Sequence, residues 1–182
     1  MQGLDFDRLQ PIGMTPAQAQ SLAALCFTPT GIDRTPARVI EVHRETLVLH
    51  DGAAPFTARP HPRLLLDLAS ARDALAVGDW VACERDVQGT PWVVARAAPL
   101  TQIVRRDADG LRHVVVSNVD VAFLVMGLDA DFNPRRIERY LALVQGASGG
   151  ALAPVVELTK SDWAGDAVAD DEADALRARL GP

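Results

Sequence analysis

The sequence of 182 residues is narrowed first by what it lacks. It has one lysine, Lys160, and two cysteines, Cys26 and Cys83, which stand far apart with no cysteine or histidine at ligand spacing beside them. A disulfide scaffold and a zinc knuckle within these residues lose support, and both thiols read as buried side chains of a cytosolic protein. No apolar run reaches the roughly 18 residues of a membrane span, and the opening MQGLDFDRLQ has neither a basic nor an apolar leader region. The expectation is a cytoplasmic chain with no membrane segment. Also missing are a GxxxxGK[ST] loop anywhere and an Asp-x-x-Gly motif starting beyond residue 162. Without them the chain has no groups to cradle β- and γ-phosphates or to hold Mg²⁺.

Basic charge is scarce as well. The chain carries 18 Lys and Arg against 24 Asp and Glu, for a net charge of −6. The imbalance is −2 over residues 1–33, +1 over 34–112 and −5 over 113–182. Nonspecific affinity for nucleic acid scales with phosphates neutralised, so a generic polyanion binder is excluded and any RNA contact has to be local.

What is present falls into two patterns. Residues 1–35 read as an extension with one short helix, opened by Thr15 as N-cap, Pro16 at the first helical position and Gln18 as capping-box partner, and stopped by Gly31 and Pro36. From 36 to 98 come five short β-rich runs, at 37–42, 46–50, 56–59, 80–85 and 92–96, separated by turns at Asp51-Gly52, Gly78-Asp79 and Gly89. An apolar helical pattern over 64–75 lies between the third and fourth. Five strands with a helix plugging one end predict an OB-fold barrel. Trp80 and Trp92, within these strands, are expected in the core rather than as stacking platforms.

Residues 99–112, with Arg105-Arg106 and Asp109-Gly110, read as a linker. After it, 114–116 and 119–128 are nearly continuous apolar runs, the pattern of strands buried on both faces. Asn133 and Pro134 start a helix with Ile137, Tyr140, Leu141 and Val144 on one face, and Gly149-Gly150 ends it. A strand over 153–158 and a helix from Asp166 to Leu180, stopped by Gly181-Pro182, complete a βαβα unit over 113–182. Two central-type strands cannot cover their own edges and faces, so the sequence is expected to stop inside a domain.

The tetrapeptide Thr159-Lys160-Ser161-Asp162 follows the carboxyl end of the last strand, where open α/β sheets bind ligands. A carboxylate there can accept from the N1 and N2 donors of guanine, which adenine lacks, while a lysine stem covers the flat face of the base. A solvated turn is the competing reading of the same four residues.

The combination and order of these pieces resemble the RsgA/YjeQ family of circularly permuted GTPases. The similarity rests on Ser117-Asn118-Val119-Asp120 leading into 121–126, on Phe132-Asn133 with Arg136, Arg139 and Tyr140-Leu141, and on 155–162. In the barrel it rests on 36–42 and Val77-Gly78-Asp79-Trp80-Val81. The resemblance implies an OB-fold ahead of a GTPase domain whose base-reading motif precedes its phosphate loop, with Thr159, Lys160 and Asp162 reading guanine. It further implies GTP/GDP with Mg²⁺ as ligands of the whole protein, zinc in a carboxyl-terminal region absent here, and no catalytic or metal-binding residue in this chain. The implied partners are the small (30S) ribosomal subunit and its 16S rRNA, met by a monomer during late subunit maturation. Where the family usually has Asn this sequence has Thr159, and threonine keeps a hydroxyl but loses the bracing amide.

Arg44, Arg59, Arg63 and Arg85, in or beside the barrel strands, are candidate contacts to RNA phosphate as a group. His43, His50, His61 and His113 are scattered and read as surface or packing residues. Ser117 and Ser161 lack the partners of a nucleophile. Two other functions fit the same patterns: a noncatalytic OB-fold RNA-binding module with an α/β protein-interaction tail, and a small-molecule enzyme on a doubly wound sheet with Asp162 near its site.

Overall fold

The computed structural model describes residues 4–27, 34–147, 152–164 and 166–180. The glycine stops expected at Gly31, Gly149-Gly150 and Gly181-Pro182 lie outside the described residues. The chain forms two compact units, Met1–Asn118 and Val119–Pro182.

The first unit begins with α1 (Phe6–Leu9) and a 3₁₀ turn (Gln10–Ile12), then α2 (Pro16–Cys26). The capping box of α2 is formed: the Thr15 hydroxyl accepts from the Gln18 amide, and Gln18 Oε1 accepts from the Thr15 amide at 2.9 Å. Five strands follow, β1 (Thr35–Val42), β2 (Leu47–His50), β3 (Pro55–Pro60), β4 (Trp80–Arg85) and β5 (Pro91–Arg96), with α3 (Pro62–Ser70) between β3 and β4. They close into a barrel in the order β1-β2-β3-β5-β4, all pairs antiparallel except β3 with β5. This is the predicted OB-fold.

Alternation along the strands builds two cores from one sheet. Inward-facing Ala37, Val39, Leu47, Leu49, Ala58, Val81, Cys83 and Val93 fill the barrel, and Leu64 and Leu68 of α3 stop one end. Trp80 and Ala82 point outward into a second cluster with Leu9, Met14, Leu22 and Cys26, which is how α2 is held. Leu22 and Leu49 are fully buried, worth about 2 kcal/mol each in area removed from water. Both cysteines are buried, and burial pushes the Cys83 thiol up to about 12. The plug helix is shorter than the 64–75 pattern: it ends at Ser70, and Arg72 turns the chain with a left-handed φ of 53° while Leu75 still packs on the barrel.

The region read as a linker is instead β6 (Gln102–Arg106), paired antiparallel with β7 (Arg112–Ser117). Both strands belong to the first unit, so the division falls after Asn118 rather than within 99–112. Polar groups dock this hairpin. Asp73 takes Arg96 Nη2 at 2.5 Å, Arg112 Nη1 at 3.3 Å and Gln102 Nε2 at 3.3 Å. Burial pushes the Asp73 carboxyl up, but the Arg96 hydrogen bond, the Ala74 amide and Arg112 outweigh it and bring the pKa down to about 2. Gly78 adopts φ +90°, and a Cβ there would lie 1.9 Å from the Ser117 carbonyl oxygen, so only glycine admits β7 at this distance. Asn118, at φ 54°, closes the unit: its Oδ1 accepts from Leu100 N at 2.9 Å and its Nδ2 donates to Gly78 O at 3.0 Å.

The second unit contains β8 (Val121–Gly127), α4 (Pro134–Gly146), β9 (Ala153–Thr159), α5 (Ser161–Ala164) and α6 (Asp166–Leu180). The Asn133 side chain caps α4 by accepting from Arg136 N at 3.3 Å. Strands β8 and β9 pair in parallel along their whole length. Met126, Ile137, Leu176, Val156 and Leu158 form the core between strands and helices. The other sheet face carries exposed Val121, Phe123, Val125 and Val155. Burial on both faces, expected from the apolar runs, is therefore not seen among the described residues: helices cover one face.

Candidate guanine-recognition site

Register brings the site together. Because Val121 pairs with Ala153 and Gly127 with Thr159, the carboxyl ends of β8 and β9 lie side by side, and both chains leave from one edge. The main chain ties them there: Leu128 N donates to Thr159 O at 2.8 Å. The Thr159 hydroxyl reaches back to Met126 O at 3.5 Å, a long contact that braces the neighbouring strand end. Lys160 then takes a left-handed φ of 60°, and its carbonyl accepts from Trp163 N at 3.1 Å, which turns the chain into α5.

This reversal gives the two functional side chains different surroundings. Asp162 is exposed and has no hydrogen-bond or ion-pair partner among the described residues. A free carboxylate there can accept two N–H donors from a base edge. The Lys160 ammonium turns toward β8 and pairs with the Asp129 carboxylate. Asp129 is held below the usual carboxylate range by the Lys160 hydrogen bond first and the Asp131 amide second, and Lys160 is raised by the same partner. Thr159, Lys160 and Asp162 are legible in the sequence, and Asp129 is not. Its sole signal was an acidic residue two positions after an apolar strand, 31 residues from its partner.

The four barrel arginines are all exposed. Register sets Arg59 beside Trp92 and Arg85 beside Pro91, and the Arg63 amide donates to the N-capping ring of His61 at 3.3 Å. His61 and Trp92 meet edge to face at 6.2 Å. Arg44 sits in the β1–β2 turn, with no hydrogen bond to the other three. The expectation of a core Trp holds for Trp80, which is fully buried, and fails for Trp92. Trp92 is half-buried on the outer face, donates Nε1–H to Asp86 Oδ2 at 3.0 Å and lines an open cleft of about 310 Å³ with His61, Glu84 and Arg85. The remaining histidines serve local roles: His50 Nδ1 accepts from Gly52 N, and His43 and His113 pair with Glu41 and Asp107.

Among the described residues no group of three His, Cys, Asp or Glu side chains could hold a metal ion, and the sequence contains no GxxxxGK[ST] motif. No helix is long and apolar enough to cross a membrane.

Comparison with known proteins agrees with this architecture. The RsgA GTPase family model matches residues 97–181. The chain is 40% identical over 165 residues to the small ribosomal subunit biogenesis GTPase RsgA of Xanthomonas oryzae pv. oryzae (strain PXO99A), covering 87% of this chain and 42% of that protein. It is similar in fold to YloQ, a circularly permuted GTPase, with a TM-score of 0.55 and 17% identity over 84% of this chain and 50% of the other. YjeQ from Thermotoga maritima matches with a TM-score of 0.58 and 18% identity over 82% and 50%. The chain thus spans about two fifths of the curated relative's length and half of each solved structure.

Proposed function

We propose that this chain, which the RsgA GTPase family model matches over residues 97–181 and which is 40% identical to a curated RsgA, supplies the guanine-reading and RNA-binding parts of a GTPase that assists maturation of the small ribosomal subunit. The observation that carries this reading is the exposed Asp162, its carboxylate without a partner among the described residues, at the joined carboxyl ends of β8 and β9. Asp162 accepts from guanine N1–H and N2–H, the Lys160 stem covers the base, and Thr159 braces the loop. Adenine offers no such donor pair, so the carboxylate rejects it. Phosphoryl transfer itself needs a phosphate loop and Mg²⁺; these, and the zinc of the family resemblance, belong to residues outside this chain in the whole protein.

In the barrel, Arg44, Arg59, Arg63 and Arg85 meet phosphates of 16S rRNA, with the Trp92 cleft beside three of them. The protein acts as a cytoplasmic monomer on the 30S subunit. The test is GTP turnover: the 182-residue chain should release no phosphate above a buffer blank, and turnover abolished by Asp162→Ala would overturn the division of labour. For the barrel, the fourfold Arg→Ala variant should bind small subunits more weakly and with a shallower salt dependence. Unchanged binding at low salt would remove the RNA assignment.

A further inference from the structure

The Lys160–Asp129 pair is more constrained than an ordinary surface ion pair. The Lys160 stem crosses Gly127, the last residue of β8: a Cβ added there would lie 3.1 Å from Lys160 Cδ and 3.2 Å from Asp129 Oδ2. The Asp129 carboxylate is itself preset, since its Oδ1 accepts from the Asp131 amide at 3.0 Å and its carbonyl accepts from Phe132 N at 2.9 Å. Its other oxygen, Oδ2, holds the lysine. The backbone of Lys160 is in the left-handed region, which fixes where the side chain leaves the main chain. A four-carbon stem free in solution samples many rotamers, and a flat platform for a base has to hold one.

We propose that Asp129 is a positioning residue for base recognition: it clamps the Lys160 ammonium so that the aliphatic stem lies over Gly127 as a fixed platform beside Asp162. This rests on the reading of Thr159–Asp162 as the guanine site. The mutual pKa displacements agree with the geometry, Lys160 raised by Asp129 and Asp129 lowered by Lys160. Gly127 is the second half of the device, because any side chain there competes with the stem for space. The clamp acts on the platform and not on the donor match, so it governs how tightly a purine binds and leaves the choice of guanine to Asp162.

Lys160 is the only lysine in the chain, which makes the test direct. Lysine-labelled protein gives one ε-methylene signal by NMR, followed through a pH titration and through titration with guanosine and xanthosine. The expected result is that Asp129→Ala lowers the Lys160 pKa toward its ordinary value and weakens guanosine about two- to fivefold, the range of a surface ion pair. Asp129→Asn, which keeps a hydrogen-bond acceptor, should restore part of the guanosine affinity but not the pKa. Gly127→Ala should shift the Lys160 signal with Asp129 intact.

If Asp129→Ala and Asp129→Asn leave both the Lys160 signal and guanosine affinity unchanged, Asp129 positions nothing. If the signal moves and the affinity does not, the clamp exists but does not serve the base, and the inference is overturned while Asp162 keeps its role. If wild type shows no guanosine-dependent change, or Asp162→Asn does not turn preference toward xanthosine, the site reading itself fails and the clamp falls with it.

Discussion

The barrel unit and the α/β unit both use alternating apolar strands, yet only one of them hides the alternation. In β2 the pair Leu47 and Leu49 is 2% and 0% exposed, because the sheet closes on itself and α3 stops its end. In β8 the alternate residues Phe123 and Val125 are 64% and 59% exposed, because α4 and α6 cover the opposite face. A run of apolar residues therefore specifies a strand without specifying how many of its faces are covered. Closure does that for the barrel; in the α/β unit, nothing among the described residues covers the second face.

The sharpest way to test this contrast is a matched pair of truncations. Leu49→Ala should destabilise the barrel by about 2–5 kcal/mol, the range for a buried leucine. Chemical unfolding followed by Trp80 and Trp92 fluorescence reads the barrel, and Trp163 reads the other unit. Next in size is Gly78→Ala, which meets the Ser117 carbonyl and carries a strained φ. A loss of about 2–4 kcal/mol is expected in the barrel transition, with the β6–β7 hairpin losing amide protection first. If that hairpin exchanges unchanged, Gly78 is not what seats it.

Acid gives a smaller effect. Asp73 has a folded pKa near 2 against 3.8 unfolded, so its contribution is fully present above about pH 4 and is lost as pH falls toward 2. Asp73→Asn should flatten that part of the stability profile, measured by thermal unfolding between pH 2 and 5. At the bottom of the scale, Phe123→Ser should change stability by less than about 0.5 kcal/mol. A loss comparable to that of Leu49→Ala would show that the outer face of β8 is covered in solution.

The contrast also explains what the sequence could disclose. The five barrel strands, the capping box at Thr15 and the Asn133 cap are local patterns, and they were legible because each depends on neighbours within a few residues. Strand β6 was not: Gln102-Ile103-Val104-Arg105-Arg106 reads as a polar connector, and it becomes a strand because Gln102 and Arg112 bind Asp73, placed about thirty and forty residues earlier. Trp92 was misplaced for a similar reason, since its face depends on register with Arg59 and Glu84. In the site, the motif Thr159–Asp162 was readable as a string. Asp129 became visible only once Gly127 was paired with Thr159.

If the α/β unit reads guanine through Asp162, nucleotide competition in the whole protein will show it. GTP, ATP and XTP compete for wild type and for Asp162→Asn. Wild type should prefer GTP over ATP. In the variant, GTP should weaken by about a hundredfold with the loss of two charge-assisted hydrogen bonds, and XTP should become the preferred ligand, because the amide donates to the 2-oxo group while its carbonyl accepts from N1. A GTP to XTP ratio unchanged by the substitution would contradict the claim and leave Thr159–Asp162 a surface turn.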